Sequence, residues 1–190
     1  MLPYYIIFLI SLFFFSIPHF KYSGKMFSPS VFYILSATAL SIFSAFRSLE
    51  GGGDIFSYLY TFQNIGAQIS NQLEGNLFFN EIGYQYLNLV IHFLSDSNEF
   101  FLFSISAIIL FFTYKGILKS SSYPVLSFIC FILLNFYNFH FNGVRQAITI
   151  SIAVYSLKYI FNRSFLKFLI VVGFGFLIHK NLSYVKKVKR

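Results

Sequence analysis

The chain has 190 residues, of which 57% are hydrophobic, 23% aromatic and only 11% charged. A soluble domain carries roughly 25% charged residues, and a chain of this length could not bury so much apolar surface away from water. The composition excludes a soluble globular domain and predicts a polytopic membrane protein. The formal net charge of +8 does not indicate a nucleic-acid partner, because the basic residues lie mostly in short loops between apolar runs.

Five apolar segments define six expected helices, since a helix needs about 20 apolar residues to cross the hydrocarbon core. Segment 124–161 is too long for one crossing at about 1.5 Å per residue, so we expect a helical hairpin that breaks at Asn142-Gly143. The predicted spans lie near residues 2–20, 27–46, 100–118, 124–142, 143–161 and, as a shorter sixth candidate, 165–178. The expected fold is an all-α membrane helix bundle of five or six transmembrane helices, with a single domain over 1–185 and a basic tail at 186–190.

The first span is expected to be retained, because it lacks a basic leading region and a small-residue cleavage site. Three basic clusters, at 21–25, 115–119 and 158–167, mark cytoplasmic loops by the positive-inside rule. The long polar loop 47–80 and the hairpin turn then lie outside the membrane. We therefore expect a multi-pass protein with its long loop on the outer face.

Segment 81–94 has the pattern of an amphipathic helix. Its polar residues recur at helical spacing on one stripe, and apolar residues fill the opposite face. The stripe consists of Glu81, Gln85, Asn88 and His92. We expect this helix to lie at the outer interface or to re-enter the membrane. The alternative is a transmembrane helix whose polar stripe is buried in the bundle.

Arg145 is a charged residue near the middle of a long apolar run. A cation inside a membrane span costs at least about 2.5 kcal/mol of insertion free energy. Arg145 lies just after the predicted hairpin turn, where free N–H groups at a helix start favour an anion. Its planar donor fork suits phosphate. The alternative is an arginine that reaches to lipid headgroups. Arg47, at the end of the second span, is equally suited to a ligand contact or to plain interfacial anchoring.

Two carboxylates and two histidines share the expected outer face. Asp54 and Glu81 could act as a general base, or could simply cap the helices that they precede. His140 and His179 are too isolated to form a metal site, and Cys130 is the only cysteine. The sequence therefore predicts no metal and no cofactor.

Five short motifs together resemble the EpsG family of exopolysaccharide proteins, which are Wzy-like polymerases of bacterial envelopes. The order and spacing agree over about residues 40–182, and the most specific element is Asn-Gly-Val-Arg-Gln inside a membrane hairpin. The matching runs are Phe46-Arg47, Gly53-Asp54 with Tyr58, Glu81-Ile82-Gly83-Tyr84, Phe141-Asn142-Gly143-Val144-Arg145-Gln146-Ala147 and Ile178-His179-Lys180.

The resemblance implies a multi-pass enzyme of the bacterial cytoplasmic membrane. Such an enzyme joins oligosaccharide units carried on undecaprenyl pyrophosphate at the outer face, beside a flippase and a chain-length regulator. The implied roles are substrate binding by Arg145, Arg47, Gln146 and His140, with Glu81 or Asp54 as base and His179 in an auxiliary polar role.

Two alternatives to an active polymerase follow from the same residues. The first is a non-catalytic transporter or carrier subunit with an anion site, although neither internal repeats nor paired interrupted helices support it. The second is an inactive, truncated polymerase. Members of the family usually continue with further spans after the His-Lys element, and the basic tail would lie outside the membrane, against the positive-inside rule.

Overall fold

The computed structural model describes residues 2–19, 28–47, 54–65 and 82–179. Of these residues, 86% are helical and none lies in a strand, which confirms the all-α class. Glu81 and the basic tail 186–190 lie outside the described residues.

The described residues form nine α-helices. A 3₁₀ turn, Ile17–His19, extends the first of them. In chain order the helices are α1 (Leu2–Ser16), α2 (Pro29–Phe46), α3 (Ile55–Gln63), α4 (Ile82–Leu94), α5 (Asn98–Ser120), α6 (Pro124–Leu133), α7 (Phe136–Phe139), α8 (Val144–Phe161) and α9 (Phe165–Ile178).

Helices α2 and α5 are each long and apolar enough to cross a membrane on length and composition. Helices α1, α6 and α9 are apolar but shorter. Helix α8 has 18 residues and carries two cations, Arg145 and Lys158. Five or six spans in total stay a prediction.

Helix α5 is the centre of the bundle and packs between α2 and α8. The Tyr114 hydroxyl on α5 lies 2.7 Å from the Ser36 hydroxyl on α2, which in turn lies 2.8 Å from Ser11 on α1. On its other side, Gly116 approaches α8 so closely that a Cβ there would lie 2.8 Å from the backbone of Val154. Small residues and buried hydroxyls are the usual means by which helices associate in lipid.

Helix α2 ends and α8 begins at the same end of the bundle. Ser44, near the end of α2, lies 3.1 Å from Nε2 of His140, just before α8. Arg47 follows α2 directly, and Arg145 is the second residue of α8. We call this region the arginine end.

The hairpin over 124–161 differs from the prediction of one continuous helix to 142, because it has an additional break. Helix α6 ends at Leu133, and Asn135 adopts a left-handed backbone with φ of 64°. Asparagine enters this region at lower cost than other residues with a Cβ. The turn at Asn142-Gly143 follows α7, and Gly143 keeps an ordinary φ of −119°. Within this segment the left-handed backbone therefore lies at Asn135, and not at the predicted break.

The predicted loop 47–80 contains helix α3. Asp54 is its N-cap residue, as the capping alternative expected, although the Asp54 side chain makes no capping hydrogen bond. The residues that α3 buries are Ile55, Leu59 and Phe62, which recur on one face of the helix. Apolar packing, and not the cap, therefore holds this helix in place.

Helix α4 turns its polar stripe toward the bundle and exposes its apolar face. Asn88 of the stripe is 0% exposed and Gln85 and His92 are half-buried, whereas Phe93 on the opposite face is 88% exposed. An outward apolar face suits lipid and not water, so α4 has the polarity of a membrane-embedded helix. This burial agrees with the alternative of a stripe directed into the bundle, and not with a helix lying on the membrane surface. Whether α4 re-enters or crosses the membrane stays a prediction.

Candidate functional site

Arg145 lies half-buried in the first turn of α8, against two tyrosine rings. Its guanidinium carbon is 5.5 Å from the ring centroid of Tyr58 and 5.9 Å from that of Tyr84. Stacking on aromatic faces holds a guanidinium in place while its N–H edge stays directed elsewhere. Arg145 is therefore a positioned cation beside the free N–H groups of a helix start.

The two tyrosines lie on α3 and α4, which belong to the predicted loop 47–80 and to the amphipathic segment 81–94. The Tyr58 ring on α3 meets the Tyr84 ring on α4 edge to face, with centroids 6.1 Å apart. Farther along α3, the Phe62 ring stacks on Phe101 of α5 at 4.5 Å. The buried aromatic contact anchors α3 to the central helix and so fixes the position of Tyr58.

The last turn of α9 forms another wall of this site. A Cβ on Gly83 would lie 2.9 Å from the carbonyl oxygen of Leu177, so the first turn of α4 touches the backbone of α9. His179 follows immediately and is half-buried. The Thr149 hydroxyl donates to the carbonyl oxygen of Arg145 at 3.0 Å and lies 3.2 Å from that of Gly175. We call the group of Arg145, Tyr58 and Tyr84 the Arg145 site, and His179 follows the helix end that packs beside it.

Of the two predicted carboxylates, the structure describes only Asp54. Glu81 lies outside the described residues, but it immediately precedes Ile82, the first residue of α4. Asp54 lies four residues before Tyr58, at the start of α3, and its side chain is exposed. The Asp54 carbonyl oxygen accepts the first helical hydrogen bond, from Tyr58 N–H at 3.2 Å.

Arg47 has neighbours different from those of Arg145. Its guanidinium carbon lies 3.6 Å above the centre of the Phe141 ring, and one terminal nitrogen donates to the Phe141 carbonyl oxygen at 3.4 Å. Burial lowers the pKa of Arg47 from its ordinary value, while Tyr4 and Tyr137 act in the opposite direction. The two arginines, expected to act together, thus occupy separate positions at the arginine end.

The remaining two candidates, His140 and Gln146, lie on either side of the hairpin turn. His140 is only 3% exposed; its Nδ1 donates to the Tyr137 carbonyl oxygen, and its Nε2 accepts from Ser44 when the ring is neutral. Both ring nitrogens are therefore occupied by the protein. Gln146 is exposed on α8 beside the turn.

Sequence reasoning did not assign a role to Tyr58 or Tyr84, because most tyrosines of an aromatic-rich membrane protein face lipid or the interface. Their positions could have marked them as candidates, because both lie within the short motifs that also contain Asp54 and Glu81. Only the packing of α3 and α4 brings their rings to Arg145.

The apolar helices, with polar residues gathered at one end, define the class as a helical membrane protein. The chain belongs to the EpsG family, whose sequence profile matches residues 30–185. This finding confirms the resemblance carried by the five motifs. Family membership indicates a polysaccharide polymerase-like role and association with the membrane. No curated protein and no solved structure matches the chain.

Proposed function

We propose that this protein polymerises oligosaccharide units carried on undecaprenyl pyrophosphate at the outer face of the bacterial cytoplasmic membrane, which it crosses several times. The observation that carries the proposal is the position of Arg145, held on the faces of Tyr58 and Tyr84 at the start of α8. A fixed guanidinium beside the N–H groups of a helix start is suited to a pyrophosphate. A flippase that supplies the units and a chain-length regulator are the expected partners.

The reaction requires stabilisation of a departing anion. The bond between the anomeric carbon of one unit and its pyrophosphate oxygen breaks, and the hydroxyl oxygen of the acceptor sugar bonds to that carbon. Negative charge grows on the pyrophosphate as the bond breaks, so a cation fixed beforehand lowers the barrier. Arg145 supplies this cation, with two parallel N–H donors for two phosphate oxygens.

The proton of the acceptor hydroxyl must pass to a base. Glu81 is one candidate, because it immediately precedes the helix that carries Gly83 and Tyr84. Asp54 is the other, one helical turn before Tyr58. His179, at the end of α9, is assigned an auxiliary polar or proton-transfer role. Gln146, exposed beside the turn, is assigned a contact with the sugar.

The test is replacement of Arg145 by Ala and by Lys in the native strain, followed by analysis of long-chain polysaccharide and of lipid-linked units. Both variants are expected to lose long chains and to accumulate single lipid-linked units, since lysine cannot form the bidentate contact. The matched control is Arg163→Lys, at an exposed arginine between α8 and α9, which should leave the polymer unchanged. Normal polymer from the Ala variant would refute the proposal.

A further inference from the structure

A cavity lies between α1 and α6–α7, with Arg47 at its wall. Its volume is about 1040 Å³, just above the roughly 300–1,000 Å³ typical of small-molecule pockets. We call it the α1–α6 cleft. Tyr58, Tyr84 and His179 do not line it, so it is separate from the Arg145 site.

The lining of the cleft is divided by polarity along its length. Polar groups gather at the arginine end, where α1 begins and α7 lies. They are Arg47, Asn135, Asn138 and Asn142. Farther from that end the walls are apolar, and are formed by Phe8, Leu9, Leu12, Ile129, Ile132 and Leu133. From Tyr5 to Leu12 the wall extends about 10 Å at 1.5 Å per residue.

The polar end carries positive charge without a carboxylate on the walls of the cleft. The acidic residues in the described part of the chain are Asp54, Asp96 and Glu99, and none lines the cleft. Arg47 is held in place by the Phe141 ring and carbonyl oxygen, and its buried Nε has no hydrogen-bond partner within the described residues. Asn138 donates to Asn135 at 2.6 Å, so the amides form a fixed polar rim.

From this lining we infer that the α1–α6 cleft binds a membrane lipid with an anionic phosphate headgroup. The phosphate lies at Arg47 and the asparagine rim, and the hydrocarbon chain follows the apolar walls toward Leu12 and Ile129. A free phosphate would leave those walls empty, and an uncharged hydrocarbon would leave Arg47 uncompensated. The inference depends on the membrane location of the chain and not on its polymerase activity.

The absence of tryptophan in the sequence permits a sharp test. Leu133→Trp places one fluorescent reporter in the cleft, at a residue that is 77% exposed and so tolerates a larger ring. Phe174→Trp, on an exposed face of α9, is the matched reporter outside the cleft. Each purified full-length variant is placed in nanodiscs, and its fluorescence is quenched by brominated phosphatidylglycerol or by brominated phosphatidylcholine.

The expected result is an affinity for phosphatidylglycerol over phosphatidylcholine that is about fivefold greater at Leu133→Trp than at Phe174→Trp, from one cation near a lipid phosphate. Adding Arg47→Gln should remove the difference between the reporters, whereas Arg47→Lys should retain part of it. Equal preferences at the two reporters would overturn the inference. So would a preference that survives Arg47→Gln, or a cleft reporter that neither lipid quenches, since the last result means that protein fills the cleft.

The same assay separates this inference from the proposed function. Arg145→Gln is expected to leave the lipid preference at Leu133→Trp unchanged, because Arg145 does not line the cleft. If Arg145 variants keep normal polymer while the lipid preference holds, only the polymerase proposal fails. If the preference is absent while Arg145 variants lose polymer, only the lipid site fails.

Discussion

Arg145 and Arg47 lie at the same end of the bundle but at opposite kinds of helix end. Arg145 is in the first turn of α8, where free N–H groups create a positive potential; Arg47 follows the last turn of α2, where free carbonyls create a negative one. The dipole disfavours a cation at the first position and favours it at the second, by about 0.3–1 kcal/mol each. An anion is therefore attracted by both arginine and helix at α8, but only by the arginine at α2.

The neighbours of the two arginines also make Arg145 the better suited to an anion. Two tyrosines flank Arg145, and their hydroxyl groups can take part in a polar site. Arg47 instead lies on the Phe141 ring and bonds a backbone carbonyl oxygen, which ties the end of α2 to the hairpin turn. On the assignments proposed above, Arg145 binds a tightly held anion, whereas Arg47 combines a structural contact with a weaker headgroup contact.

The largest expected effect is a difference between lysine replacements of the two arginines. Arg145→Lys should lower the polymerisation rate about 10-fold to 100-fold, because a lost charge-assisted bidentate contact costs about 1.5–3 kcal/mol. Arg47→Lys keeps the charge outside the proposed reaction site and should stay within about twofold. The measurement is polymer formed per folded protein, and equal losses in the two variants would erase the distinction.

Gly83→Ala should damage the Arg145 site alone, since its Cβ would lie 2.9 Å from the Leu177 carbonyl oxygen. Backbone atoms cannot move aside easily, so a destabilisation of about 1–3 kcal/mol is expected together with lost polymer. Gly173→Ala on α9 is the control, because its Cβ would meet nothing within 4 Å and helix propensity favours alanine. The stability of the two variants is compared by thermal unfolding in detergent. Comparable unfolding temperatures would contradict the close contact of α4 with α9.

Ser44→Ala should lower the free energy of unfolding without lowering the activity of the folded protein. It removes the partner of His140 Nε2, and leaving that buried nitrogen unsatisfied costs about 1–3 kcal/mol. Polymer formed per folded molecule should stay normal, since His140 is occupied by protein contacts. The control is Ser30→Ala, at an exposed serine of the same helix. Normal stability with reduced polymer would instead assign His140 a direct part in substrate binding.

The smallest effect is expected from the ring that supports Arg145. Tyr58→Phe keeps the aromatic face and should change the rate little, whereas Tyr58→Leu loses a cation–π contact of about 0.5–1 kcal/mol, or twofold to fivefold in rate. Tyr60 is 70% exposed on the same helix and provides the matched pair of variants, for which Phe and Leu should behave alike. A strong loss in Tyr58→Phe would show that the hydroxyl, and not the ring face, is required.

The sequence alone identified the residues whose cost or chemistry is independent of packing. Arg145 is expensive in any apolar helix, so it could be recognised before any contact was known. The additional break at Asn135 was missed because the apolar count passes through it. Helix α3 was expected only as the helix that Asp54 would cap, and the sequence did not tell that Ile55, Leu59 and Phe62 would be buried. Periodicity detects a polar stripe on α4, but it does not tell which side of the helix faces the bundle.

Composition and the spacing of apolar runs determined the membrane class, the all-α fold and, with the short motifs, the EpsG family. These properties follow from transfer free energies, which are sums over residues and need no partner. The tertiary structure alone decided that Asn88 on the α4 stripe is buried, that Tyr58 and Tyr84 meet Arg145, and that Arg47 lies instead on Phe141. Those outcomes depend on contacts between segments far apart in the chain, whose geometry is set by the packing of whole helices around α5.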